Sequence, residues 1–141
     1  MAVRDPEQLC ELLHLPVTYH EPARQASRTF PLVAPLEYIG RMRPGDPHDP
    51  LLRQVLPIAE ELADVPAYQV DPVDDASATR RPGLLQKYPG RVLIVTTPTC
   101  AVHCRYCFRR HFDYDATPRT MDGWQPVLDQ IAQDSTIQEV V

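Results

Sequence analysis

No stretch of the 141 residues approaches the roughly 18 consecutive apolar residues that a membrane span requires, so a transmembrane helix is excluded. Residues 1–15 carry Asp5, Glu7 and Glu11 and no basic region followed by an apolar run, so a secretory signal is not expected. Runs or stripes of Lys and Arg are missing, which argues against a nucleic-acid surface, and no internal repeat is visible. Glycine is scarce at 5 residues, while proline is abundant at 16 and cuts the first half into short pieces. The expectation is one soluble, cytoplasmic domain in which the four cysteines, Cys10, Cys100, Cys104 and Cys107, stay reduced. That favours a metal or redox role over a disulfide framework.

The net charge of −5 conceals an asymmetry. Residues 1–79 hold 6 basic and 13 acidic side chains, residues 80–119 hold 8 and 2, and residues 120–141 hold none and 4. The basic side chains therefore gather around three of the four cysteines, where they suit an anionic ligand.

Patterning predicts a helical N-terminal region over 1–64, an irregular connection over 65–90 and a βαβ unit over 91–141. Asp5 and Pro6 read as a helix start, with Leu9, Leu12 and Leu13 on the buried face and Cys10 as an inert core thiol. Asp49 and Pro50 repeat that signal for a helix through Leu51, Leu52, Val55 and Leu56, continued after Pro57 by Ile58 and Leu62. Pro35 to Met42 adds a further helical turn, and no sheet is expected in this half. Arg91–Thr97 (RVLIVTT) is a β-branched run between Pro89-Gly90 and Pro98 and reads as a strand buried on both faces. Trp124, Val127, Leu128 and Ile131 at helical spacing predict a helix capped by Asp122, and Ile137–Val141 reads as a second strand. Such a unit places the loop after its first strand at the carboxyl end of a parallel sheet. The fold class expected is α/β: a helical N-terminal region, then the start of a partial TIM-like barrel, truncated after the second strand.

That loop reads CAVHCRYCFRRHF from Cys100 to Phe112. Cys100, Cys104 and Cys107 follow C-x3-C-x2-C, close enough for three thiolates to meet on one inorganic centre. A 4Fe-4S cluster ordinarily takes four cysteines, so three would leave one iron open to a small molecule. Zinc is the alternative, with His111 or His103 as fourth ligand of a structural module.

The loop resembles the signature of the radical S-adenosylmethionine enzymes. That resemblance implies a 4Fe-4S cluster on Cys100, Cys104 and Cys107, S-adenosylmethionine on the open iron, and Tyr106 near the adenine. Over Asp71–Phe112, the PGL segment at Pro82–Leu84, Tyr88-Pro89 with Arg91, the cysteine loop and the pair Arg109-Arg110 resemble the lysine 2,3-aminomutase family. The wording CFRRHF is similar to the bacterial branch that supplies (R)-β-lysine for β-lysylation of elongation factor P. Membership implies an isomerase that moves an amino group between adjacent carbons of lysine with pyridoxal phosphate, fed by a reducing electron donor and able to form a homo-oligomer. A free-lysine aminomutase of catabolism or osmolyte synthesis is the neighbouring alternative. Arg109 then matches the arginine that holds the substrate carboxylate, and Lys87, Tyr88 and Arg91 match the segment near the pyridoxal phosphate. Lys87 is the only lysine. The resemblance places the Schiff-base lysine, the glycine-rich S-adenosylmethionine segment and the acidic residues that grip the distal amine beyond residue 141, so residues 1–141 alone are expected to be inactive. A complete barrel of this kind needs about 250 residues.

Overall fold

The computed structural model describes residues 1–66 and 68–141; Ala67, within the expected connection, lies outside the described residues. The chain forms two compact units, Met1–Tyr68 with Cys100–Arg110, and Gln69–Thr99 with His111–Val141. The boundaries differ from those read off the sequence because Cys100–Arg110 packs with the N-terminal residues. Local patterning cannot report a contact made across dozens of residues. Among the described residues no helix is long and apolar enough to cross a membrane.

In the first unit, α1 spans Pro6–Leu12. Asp5 caps it by accepting the Glu7 amide at 2.9 Å, and Pro6, whose missing N–H costs nothing there, occupies the first turn. Pro6, Leu9, Cys10 and Leu13 are buried. They stand at i, i+3, i+4 and i+7, so Leu12 falls off that face and is 46% exposed, contrary to the sequence expectation. A second helix, α2, follows at His20–Ser27 and buries Ala23 and Ala26. Two short strands on either side of these helices in the sequence, β1 (Ala2–Val3) and β2 (Ala34–Pro35), pair antiparallel and give this half a small sheet that the proline pattern did not announce. Directly after β2, α3 (Leu36–Ile39) supplies the expected helical turn.

Asp49 does start a helical segment, accepting the Leu51 and Leu52 amides at 2.8 and 2.9 Å, but only a 3₁₀ turn, Leu52–Gln54, results. Pro57 disfavours helical dihedrals at Leu56, so the turn cannot lengthen. A separate 3₁₀ turn, Ala59–Leu62, leaves Ile58 and Leu62 exposed, correcting their expected place on a buried face. The core of the unit gathers Val3, Leu9, Cys10, Leu13, Leu32, Leu52 and Val55.

The second unit carries a four-stranded sheet in the order β3-β4-β5-β6. A short helix, α4 (Asp75–Ala78), leads into β3 (Thr79–Arg81), which pairs antiparallel with β4 (Leu84–Tyr88), itself antiparallel to β5 (Arg91–Ile94). The stretch expected to be irregular thus holds a helical turn and two strands. Gly83 and Gly90, at φ +80° and +74°, turn the chain between β3, β4 and β5. Gly83 also lies under the indole of Trp124: a Cβ there would come within 2.6 Å of Trp124 Cη2. The helix α5 (Met121–Gln133) is capped by Thr120, whose hydroxyl accepts the Gly123 amide at 3.2 Å, in place of the expected Asp122. It buries Val127 against Leu84 and Val92, with Trp124, Ile131, Ile94 and Ile137 half-covered around them. Leu128 points outward.

The last strand, β6 (Glu139–Val140), pairs parallel with β5 in the register Arg91↔Glu139 and Val92↔Val140. Strand, loop, α5 and strand therefore join in the expected βαβ order, and the molecule is mixed α/β. The strand β5 is shorter than expected and is not buried on both faces. Val92 and Val95 are covered, whereas Leu93 and Ile94 are half-exposed and Arg91 is exposed.

Candidate functional site

After β5 the chain passes through Pro98 and enters the first unit at Cys100. All three loop cysteines are free thiols: Cys100 is exposed, Cys104 and Cys107 half-buried. The Cys107 amide donates to the Cys104 carbonyl at 3.0 Å and the Arg110 amide to the Cys107 carbonyl at 3.3 Å, so the loop advances as two tight turns. Burial first, then the proximity of Cys107 and Cys100, raises the Cys104 thiol above its ordinary value. Even so, among the described residues no three His, Cys, Asp or Glu side chains are drawn together to hold a metal ion. Three free, soft thiols in eight residues fit an iron–sulfur centre by donor chemistry, and closing on one requires further convergence of the sulfurs.

What fixes the loop lies between its cysteines. His103 stacks on Phe30 with ring centroids 5.0 Å apart; its amide donates to the Val33 carbonyl and its Nδ1 lies 2.9 Å from the Pro31 carbonyl. Val102 packs on the core. Arg105 makes a fork to Glu61, Nε to Oε1 at 2.9 Å and Nη2 to Oε2 at 2.6 Å, while its Nη1 donates to the Phe30 carbonyl at 2.7 Å. Its amide donates to the Gln54 carbonyl at 2.7 Å. Arg110 reaches the same carboxylate, Nη1 to Oε2 at 3.0 Å, and both guanidinium groups lie 5.1 Å from the centre of the Phe30 ring. The Arg105, Glu61 and Arg110 side chains are 7, 12 and 15% exposed. Burial pushes the Glu61 carboxyl up, but the hydrogen bonds and charge of Arg105, with the Ile58 amide and Arg110, hold it below the usual carboxylate range.

The remaining expected site residues fall into two groups. Tyr106 is 71% exposed, its hydroxyl 3.4 Å from Gln54 Oε1, and Arg109 lies over the ring of Phe108 at 4.8 Å. Both ride on the same loop as the cysteines. Lys87, Tyr88 and Arg91 instead flank the Pro89-Gly90 turn in the second unit, at the end of β5 opposite the one that leads to Cys100. Lys87 pairs with Asp75 at 2.8 Å and donates to the Val73 carbonyl, Arg91 pairs with Glu139, and Tyr88 is exposed. His111 is exposed and belongs to the second unit.

From sequence alone, the local excess of positive charge suits an anion. Two of its arginines, Arg105 and Arg110, are instead neutralised in part by Glu61. Sequence reasoning missed Glu61, Phe30 and Gln54. The one available signal was the placement of arginines directly inside and after a cysteine triad, with no carboxylate among Cys100–Phe112 to meet them.

No family model matches the chain. Curated relatives do. The chain is 39% identical over 140 residues to L-lysine 2,3-aminomutase of Haemophilus influenzae, covering 99% of this chain and 41% of that protein. The L-lysine 2,3-aminomutase of Escherichia coli matches with the same identity and coverage. That of Clostridium subterminale is 30% identical over 138 residues, 96% of this chain and 33% of its own length. The chain thus spans about two fifths of the length of the first two relatives.

Proposed function

Starting from the kinship of this chain, along nearly its whole length, with the lysine 2,3-aminomutases, we propose that it forms part of a radical S-adenosylmethionine isomerase. The reaction is conversion of L-α-lysine to (R)-β-lysine by 2,3-amino migration, and the product serves β-lysylation of elongation factor P. The observation that carries the reading is the triad of free thiols on a loop anchored by the residues between them.

Cys100, Cys104 and Cys107 would hold a 4Fe-4S cluster. When bound, such a cluster would supply an electron for S-adenosylmethionine, and pyridoxal phosphate would supply a carbonyl group for the migrating amine. The chain's own residues bind and orient. The exposed ring of Tyr106 offers an apolar face to the adenine, with its hydroxyl held toward Gln54. Arg109, kept near the loop by the Phe108 ring, presents a planar two-pronged donor suited to the lysine carboxylate. Lys87, Tyr88 and Arg91 form a basic and aromatic turn for the phosphate of pyridoxal phosphate. Serving that role means exchanging the carboxylates of Asp75 and Glu139 for phosphate oxygens. The Schiff-base lysine and the acidic grip on the distal amine come from outside residues 1–141. A helical region and a βαβ start fit the opening of a TIM-like barrel whose working face is the carboxyl end of its strands. Reduced thiols fit a cytoplasmic setting with a dedicated electron donor.

Anaerobic reconstitution of the full-length protein with iron and sulfide tests this. The expected result is an EPR signal of the reduced protein that changes on adding S-adenosylmethionine, with β-lysine formed from L-lysine. Loss of β-lysyl-elongation factor P on gene deletion separates the proposed branch from a free-lysine enzyme, which would leave that modification intact. Bound zinc with no iron uptake would overturn the reading.

A further inference from the structure

We propose that Glu61 is a positioning residue that presets the cysteine loop for metal uptake, by locking Arg105 and Arg110 against Phe30 before any metal arrives; this rests on the reading that Cys100, Cys104 and Cys107 hold a cluster.

Cys100–Arg110 contains no helix or strand, so no ladder of backbone hydrogen bonds defines its shape. Its shape comes instead from two tight turns, from the His103 and Arg105 amides bonded to Val33 and Gln54, and from side chains that alternate with the ligands. Val102, His103 and Arg105 pack on other residues of the same unit, Phe30 and Glu61 among them, and Arg110 closes the far end. All the charged contacts of Arg105 and Arg110 named above converge on one carboxylate. Glu61 sits 44 residues before Arg105 and 49 before Arg110, at the end of a 3₁₀ turn whose own start it closes by accepting the Ile58 amide at 3.2 Å. Its two oxygens take three guanidinium hydrogen bonds, two from Arg105 and one from Arg110. Arg105 directly follows Cys104 and Arg110 lies three residues after Cys107, so the carboxylate ties together the two ends of the segment in which Cys107 turns back on Cys104. The Nε of Arg110 is buried without a hydrogen-bond partner among the described residues, which makes that arm the weaker of the two. Nothing in this arrangement touches a ligand: Glu61 acts through the arginines.

The test uses full-length protein, reduced and metal-free, and follows maleimide labelling of each cysteine by mass spectrometry. Glu61→Gln keeps the shape and removes the charge. Labelling at Cys104 and Cys107 is expected to rise by about tenfold, in line with the loss of charge-assisted hydrogen bonds. Cys100, already exposed, should not change, and Cys10, buried in the core of the same unit, should stay protected. Glu61→Asp should restore part of the protection, and Glu61→Gln should retain several-fold less iron and sulfide after reconstitution. Unchanged labelling at Cys104 and Cys107, or wild-type iron retention in Glu61→Gln, overturns the proposal. If Cys10 also opens in Glu61→Gln, Arg110→Lys decides by the same criterion, because it leaves the Arg105 fork in place. A wild-type protein that takes up no iron while Glu61→Gln still loosens Cys104 and Cys107 overturns the cluster reading and the uptake role, and leaves the lock itself standing.

Discussion

Around the cysteines, Arg105 and Arg110 share one well-covered carboxylate, Glu61, and lie against one ring, Phe30. Around the β4–β5 turn, Lys87 and Arg91 each meet a separate carboxylate, Asp75 and Glu139, and the Arg91 pair is 57 and 48% exposed. Both pairs of cations come from the same basic stretch of sequence. The first is committed to scaffold in a place where water cannot substitute for a lost partner; of the second, Arg91 keeps its charge near solvent, where partners exchange cheaply, while Lys87 is held by the covered carboxylate of Asp75. A cluster of like charges therefore does not identify a ligand field until the burial of each member is known.

The comparison is broken most severely at Glu61. Glu61→Ala leaves two covered arginines without their shared partner and is expected to cost the first unit about 3–5 kcal/mol. Urea unfolding, with Cys10 labelling as the local probe, checks it; a loss under about 1 kcal/mol would place the Glu61 contacts in the same class as the surface pairs.

Next comes Gly83→Ala in the second unit. It forces a Cβ into Trp124 and an L side chain into a left-handed backbone conformation, for an expected loss of about 1–3 kcal/mol. Trp124 is the only tryptophan, so its fluorescence follows that unit's unfolding directly. At the small end, Glu139→Ala removes the partner of Arg91 and should shift stability by less than about 1 kcal/mol in the same fluorescence experiment.

Acid reaches the Glu61 contacts without mutation. The Glu61 carboxyl is held below its ordinary value in the folded protein, so its contribution is fully present above the unfolded-state value and is lost as pH falls through the lower, folded value. The expected outcome is a first-unit stability that declines below the usual glutamate range, with a shallower decline in Glu61→Gln when both are followed by Cys10 labelling across a pH series. Cys10 suits this use because burial, with Glu7, Asp5 and Glu11 nearby, pushes its thiol up to about 11. It reacts only when the core opens.

What sequence alone could reveal divides along the same line. Asp5-Pro6 and the Asp49 start signal are local arrangements, and each is legible because cause and effect lie within a few residues. The parallel pairing of β5 with β6 was legible too, since a strand, a loop, a helix and a strand leave few topologies. Leu12 was misplaced because Cys10 and Leu12 stand at opposite margins of the stripe through Leu9 and Leu13, and the stripe that is covered runs through Pro6 and Cys10. The β3–β4 hairpin was hidden because its turn, Pro82-Gly83, carries the same residues as an irregular linker. Thr120 displaced Asp122 as the cap of α5 by a shift of two positions, which composition cannot resolve. Glu61 was the largest omission. Its meaning depends on Arg105 and Arg110, dozens of residues away, and no periodicity or spacing links them.

The order β3-β4-β5-β6 has one further consequence. The strand β6 is two residues long and stands at the margin of the sheet, paired on one side by β5. Its other side is a row of peptide groups facing outward, and such a row is a template that any extended segment can extend. In the language of polymerisation, the sheet has a growing end, and the segment that meets it first sets what the sheet becomes: another parallel strand of the same polypeptide lengthens the fold, whereas a strand of a second molecule begins an aggregate.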